Sequence, residues 1–178
     1  ELTVNDVWRD EQDAWNNRSN YFVEMHNRDD RKAQVTEFLS FLKDENLLPP
    51  KGGCTLDIGC GVCDYALGLA REGHKATGID LSDGMIRGAK QLAEAEGLDL
   101  SLYIAPWSDE TRRELKWDKT FDLTYSIFCP IMFDVENIRA MHKSSKDKCL
   151  WIAFSERSDE TVDMLSEHFF GRDSFPWD

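Results

Sequence analysis

The chain is 178 residues long, carries 34 acidic against 21 basic side chains for a net charge of −13, and is 41% hydrophobic. That length suits one domain with a sizeable core, and that charge repels a phosphate backbone, so DNA or RNA is disfavoured as a partner. No apolar run is long enough to span a bilayer, no basic-then-apolar leader is visible, and five cysteines lack framework spacing, so the expectation is a cytoplasmic protein with reduced thiols and no membrane partner.

The first fifty residues read as helical. Trp8 and Trp15 share a helical face beside Asn16, Asn20, Tyr21 and Phe22, a stripe that amphipathic packing explains by itself. From Asp30 to Asn46 the periodicity places Val35, Phe38, Leu39 and Leu42 on one face, and Pro49-Pro50-Lys51-Gly52-Gly53 ends the helix. Strand and helix signals then alternate. A strand over Cys54–Ile58 leads to a helix over Asp64–Glu72, with Gly73 at its C′ position. Lys75–Ile79 makes a second strand ending in Asp80, and Ser82 caps a helix over Asp83–Glu96 that Gly97 closes. Leu98–Ala105 reads as a third strand. Asp109-Glu110 and Arg112-Arg113 read as a solvated helix face with local ion pairs. Phe121–Phe128 is a fourth strand, Asn137–Ser144 lies in a helix, and Lys148–Phe154 is a fifth strand. Such alternation predicts an α/β fold, a mostly parallel sheet covered by helices on both faces. A polar helix over Glu156–Phe169 and a tail are expected to follow.

The most informative segment is Leu56-Asp57-Ile58-Gly59-Cys60-Gly61-Val62-Cys63. An apolar strand ends beside a carboxylate, turns through two glycines and enters a helix. Glycine admits backbone angles closed to other residues, and the following helix N-terminus offers unpaired N–H groups to a polar ligand. The turn reads as the seat of a nucleotide-like cofactor. A dinucleotide fingerprint wants glycine where Asp64 stands, and a pyrophosphate would meet the Asp64 charge at the mouth of the helix. No phosphate-cradling G-x-x-x-x-G-K motif is present. Nineteen residues after Gly61, Asp80 stands at the tip of the second strand, where a carboxylate can accept from both ribose hydroxyls.

With Asp57, Gly59 and Gly61 spelling D-x-G-x-G, the chain resembles the first motif of the class I S-adenosylmethionine-dependent methyltransferases. The resemblance covers about Leu47 to Glu156 and implies a Rossmann-like three-layer sandwich with S-adenosylmethionine as cofactor. It further implies that Asp57 holds the methionine end of that cofactor, that the loop Gly59-Cys60-Gly61 wraps past it, and that Asp80 takes the ribose. Leu81 and Met85 would pack on the adenine. At the ends of the third and fourth strands, Trp107 would offer a stacking face with Ser108 beside it, and Ser126 would lie near the reacting methyl. Cys63 stands where the family often has a third glycine. Cys129-Pro130 lacks the Asn or Asp of the amine-directed N-P-P-Y signature, so that acceptor class is not assigned. The family's N-terminal lid suggests residues 1–46 as a helical cover, with Tyr21 reaching the methionine carboxylate, residues 47–156 as core, and 157–178 as helix and tail.

Cys60-x-x-Cys63 coincides with the glycine loop and has no second ligand pair, so no metal site is expected. His26, His74, His142 and His168 are expected in surface or capping roles. Cys129, Tyr125 and His142 are each conceivable as a catalytic base, and none is assigned. The expected activity is methyl transfer to a small-molecule acceptor; a nicotinamide-dependent oxidoreductase and a non-catalytic cofactor-binding domain remain alternatives. After Phe154 there is no room for the family's sixth strand and antiparallel seventh. The fifth strand is therefore expected at a sheet edge, with a homo-oligomer, a further segment or the folded-back tail as its cover.

Overall fold

The structure, a computed structural model, describes residues 4–153. Three helices lead: α1 (Val4–Asn16), α2 (Ser19–His26) and α3 (Asp29–Asp44). Then follow β1 (Cys54–Ile58), α4 (Asp64–Arg71), β2 (Lys75–Asp80), α5 (Asp83–Glu96), β3 (Ser101–Ile104), α6 (Asp109–Glu114), β4 (Phe121–Ile127), α7 (Val135–Ser144) and β5 (Ser145–Ile152). A single 3₁₀ turn, Pro130–Phe133, joins β4 to α7. All strand pairs are parallel, and the sheet order is β3-β2-β1-β4-β5. The expected α/β fold is what forms. Strand order reverses between β1 and β4, so a crevice opens at their carboxyl ends, where sheets of this kind bind ligands.

Local chemistry explains several boundaries. The Ser82 hydroxyl accepts from the Met85 N–H at 3.0 Å and starts α5, and Gly97 closes it in the left-handed region at φ 66°. The Asp134 carboxylate does the same for α7 by accepting from the Glu136 N–H at 2.9 Å. In α3, acidic Asp29 and Asp30 open the helix and Lys43 lies in its last turn, charges that complement the helix dipole. Its buried stripe Val35, Phe38 and Leu42 packs toward the sheet beside Leu69, Leu123 and Tyr125. That makes α3 part of the sandwich. The cover expected over residues 1–46 is thus α1 and α2 alone, both of which pack on α5.

The opposite layer gathers Leu56, Ile58, Trp117, Phe121 and Met141 around α6 and α7. Here the solvated helix face expected at Asp109 to Arg113 needs correcting. Arg112 is only 3% exposed, and its guanidinium pairs with both Asp109 and Asp118. His26 and His74 also depart from the expected surface roles. Both are buried, whereas His142 is exposed on α7. His168 and the helix expected over Glu156–Phe169 lie outside the described residues. Among the described residues β5 pairs only with β4 and so stands at one end of the sheet.

Candidate cofactor and acceptor site

A cavity of about 540 Å³ opens at the carboxyl ends of β1, β2 and β4, roofed by α1 and α2. Its floor is the β1–α4 turn, where Gly59, Gly61 and Cys63 all take left-handed backbone angles, with φ of 68°, 54° and 66°. The turn is tied to β2. Gly59 and Cys60 N–H groups both donate to the Ile79 carbonyl, at 2.9 and 3.1 Å. The Gly61 N–H donates to Asp80 Oδ2 at 2.8 Å, and the Ser82 N–H donates to Asp80 Oδ1 at 2.8 Å. Asp80 therefore fastens the glycine loop to the start of α5. Each of its oxygens keeps a second lone pair, and the residue lines the cavity. Burial pushes its carboxyl above the ordinary range, and the two backbone N–H donors oppose that rise.

The two glycines are required for different reasons. A Cβ on Gly59 would lie 2.3 Å from Cys129 Sγ, so the protein itself fills that space. A Cβ on Gly61 meets nothing within 4 Å, and the residue lines the cavity. Cys63, at the place of the expected third glycine, is fully buried with its sulfur against Gly78, and it is absent from the cavity lining. A left-handed angle costs a non-glycine residue roughly 1–2 kcal/mol, but the side chain obstructs nothing.

Asp57 is the electrostatic centre. It is 2% exposed, its Oδ2 has no hydrogen-bond partner among the described residues, and it lines the cavity. Burial raises its carboxyl from 3.8 to about 8, the nearby Tyr125 phenol opposes the rise, and the Asp80 charge adds to it. The Tyr125 hydroxyl faces the carboxylate without forming a hydrogen bond of good geometry. An unpaired buried carboxylate at a ligand cavity is a receptor for a cation. The cofactor's ammonium group fits that need, as the open Gly61 face fits a close-lying chain and Asp80 fits a ribose.

Asp64 does not face the ligand. It is 2% exposed and is held between the His26 imidazole, with Nδ1 at 2.5 Å, and the Arg31 guanidinium, with Nε at 2.6 Å. The repulsion expected at the helix mouth is neutralised by α2 and α3. His26 reaches Glu96 at 3.2 Å, and Arg71 grips the same carboxylate through two nitrogens at 2.6 Å each. This network fixes the roof helices to the loop-bearing layer.

Of the residues expected at the site, Asp57, Gly59, Cys60, Gly61, Asp80, Leu81, Met85 and Trp107 all line the cavity. Met85 and Trp107 are nearly buried, at 2% and 4% exposure, and the Trp107 indole N–H donates to the Asn137 carbonyl at 3.1 Å. Ser108 caps α6 instead of facing the ligand. Ser126 and Tyr21 are not brought in. The Ser126 hydroxyl is buried and donates to the Ile58 carbonyl at 2.8 Å, while Tyr21 is 57% exposed and points its ring at Phe22. Arg31 and Tyr65 line the cavity instead, with the guanidinium 4.9 Å from the phenol ring. An arginine within the mixed-charge run Arg28 to Lys32 carries no sequence signal that singles it out. The three conceivable bases also fall away. Burial pushes the Cys129 thiol to about 12 and Tyr125 well above its usual value, and His142 is outside the lining.

Residues 55–147, more than half of the chain, match the sequence model of a family described as "Methyltransferase domain". The chain belongs to the class I S-adenosylmethionine-dependent methyltransferases. It is 36% identical over 74 residues to a protein of Geobacillus sp. named as a methyltransferase, a stretch that is 42% of this chain and 28% of that protein. It is 39% identical over 64 residues to a 23S rRNA uracil-C5 methyltransferase of Shewanella amazonensis, covering 35% of this chain and 14% of that enzyme. The matched stretch thus spans less than a third of either relative. Among solved structures, a protein of Methanococcus maripaludis described as an S-adenosyl-L-methionine-dependent methyltransferase superposes with a TM-score of 0.59 at 15% identity. That superposition covers 88% of this chain and 72% of the other, and it bears on the fold alone. The cofactor of this methyltransferase family is S-adenosylmethionine.

Proposed function

We propose that this methyltransferase domain acts in the cytoplasm and transfers the methyl group of S-adenosylmethionine to a small-molecule acceptor. The observation that carries the reading is the buried, unpaired Asp57 carboxylate beneath a left-handed glycine turn in a cavity of ligand size. When bound, S-adenosylmethionine supplies an electrophilic methyl on its sulfonium. Asp57 holds the ammonium, and Arg31, supported by Tyr65, takes the methionine carboxylate in place of the Tyr21 first expected there. Asp80 accepts from the ribose, and Leu81, Met85 and Trp107 enclose the adenine. The protein's share of catalysis is orientation and exclusion of water beneath α1 and α2. The Shewanella relative acts on RNA by its name. Here a net charge of −13 and an aromatic-walled cavity favour a small acceptor.

Calorimetric titration with S-adenosylmethionine, S-adenosylhomocysteine and NAD tests the reading. Both adenosyl ligands are expected to bind and NAD is not. Binding of NAD alone would favour the oxidoreductase alternative.

A further inference from the structure

Beyond the residues assigned to the cofactor, the cavity lining is mostly apolar. It is walled by Trp8, Trp15 and Phe22 from the roof helices and by Phe128, Pro130 and Ile131 from the segment after β4. The backbone of Phe128 is held in the left-handed region at φ 53°, a strained angle for a bulky side chain, at the cavity rim. One cation with no assigned task, the exposed Arg18, stands on the rim of this apolar space. Arg18 lines the cavity, and among the described residues its guanidinium makes no hydrogen bond or ion pair. It stacks on Trp15, 5.3 Å from the ring centre. Arg31, by contrast, is tied to Asp64 and lies at the methionine end. Glu11, the acidic group on the roof, is exposed and seven residues before Arg18.

The same cavity holds no strong base. No histidine lines it among the described residues. The Cys60 and Cys129 thiols and the Tyr65 phenol are all pushed up by burial, so each stays protonated at neutral pH. In the reading above Asp57 and Asp80 are assigned to the cofactor, and Glu11 is exposed. An acceptor whose nucleophile is already ionised at neutral pH needs no such base.

We propose that the acceptor is an apolar or aromatic carboxylic acid, oriented by Arg18 and methylated on its carboxylate. The inference rests on the methyltransferase reading above. In the step, a carboxylate oxygen lone pair forms a bond to the methyl carbon as the carbon–sulfur bond breaks. That bond's electron pair stays on sulfur, which becomes a neutral thioether; the anion becomes a neutral methyl ester, and no proton moves. The absence of a proton transfer is what matches the cavity. Arg18 suits the task because a guanidinium binds a carboxylate through two parallel N–H donors, and its stacking on Trp15 holds it in place beforehand.

The test supplies methyl-labelled S-adenosylmethionine with benzoate, cinnamate, indole-3-acetate and octanoate, and with the matching alcohols, amines and thiols. The expected product is a methyl ester, which releases labelled methanol on treatment with alkali. In the presence of S-adenosylhomocysteine, calorimetry is expected to show the preferred acid binding at least tenfold more weakly to Arg18→Ala, with Arg18→Lys recovering part of the loss. Cofactor affinity should stay within twofold in both variants. Alkali-stable label on an amine, alcohol or thiol overturns the proposal and leaves the methyltransferase reading standing. So does failure to label any acid while the cofactor binds. Unchanged acid binding in Arg18→Ala removes Arg18 from the site. Failure of the wild type to bind S-adenosylmethionine sinks the underlying reading and the proposal with it.

Discussion

The Asp57 carboxylate makes the stability of the cofactor-free protein depend on pH in a way that one substitution can isolate. Its folded value of about 8, against 3.8 for the free group, separates the two protonation states by on the order of 5 kcal/mol. The folded value is the raised one, so the folded state prefers the protonated acid. The favourable contribution is complete below about pH 4, shrinks as pH rises, and is fully lost above about pH 8. Asp57→Asn carries no proton at this position and fills nearly the same space. Urea unfolding of both proteins from pH 5 to 9 isolates the effect, because titrating groups remote from Asp57 cancel in the difference. The wild type is expected to lose roughly 1 kcal/mol per pH unit relative to the variant up to pH 8, then to run parallel with it. A ligand ammonium beside Asp57 reverses the preference. Binding S-adenosylmethionine at pH 7 should therefore release close to one proton, visible as a heat that varies with the ionisation enthalpy of the buffer. Asp57→Asn should release none and bind more than tenfold more weakly. A stability difference that is constant with pH, or binding without proton release, would show that Asp57 is already ionised and refute the reasoning.

Asp80→Ala should weaken cofactor binding by more than tenfold in calorimetry. It should also cost about 1–3 kcal/mol in urea unfolding, since the Gly61 and Ser82 N–H groups lose their acceptor; an unchanged dissociation constant would place the ribose elsewhere. Gly61→Val should fold and fail to bind, whereas Gly59→Val should lose stability outright through its clash with Cys129, a loss that Cys129→Ala partly relieves. Equal thermal stability of the two valine variants would contradict that division. Removing the anion that joins His26 and Arg31, as in Asp64→Ala, should destabilise the protein by about 3–5 kcal/mol; a loss below 1 kcal/mol would make the network incidental. If the β5 edge pairs with a second copy, light scattering should show a dimer and hydrogen exchange should show β5 amides slowing with protein concentration. A monomer at all concentrations would exclude that cover.

The parts of this molecule that local chemistry dictates were legible in the sequence. Ser82 and Gly97 bound α5 because capping is decided within a few residues, and Asp57, Gly59, Gly61 and Asp80 stand out because glycine turns and strand-end carboxylates have fixed spacing. What the sequence did not convey depends on distant partners. Ser126 and Tyr21 each adjoin a cavity-lining residue, Ile127 and Phe22, yet one turns its hydroxyl to Ile58 and the other turns outward. Asp64 reads as an obstacle until His26 and Arg31 arrive from 38 and 33 residues earlier. Arg112 reads as a surface charge until Asp118 closes over it. Burial of charge is a tertiary property, and composition along one helix does not predict it.

A crystal structure with S-adenosylhomocysteine bound tests the central claim most directly. The ligand ammonium is expected within hydrogen-bond distance of Asp57, the ribose hydroxyls on Asp80, and the methionine carboxylate facing Arg31, with the backbone of Gly61 against the ligand. A ligand seated elsewhere, or one whose ammonium leaves Asp57 unpaired, would contradict it.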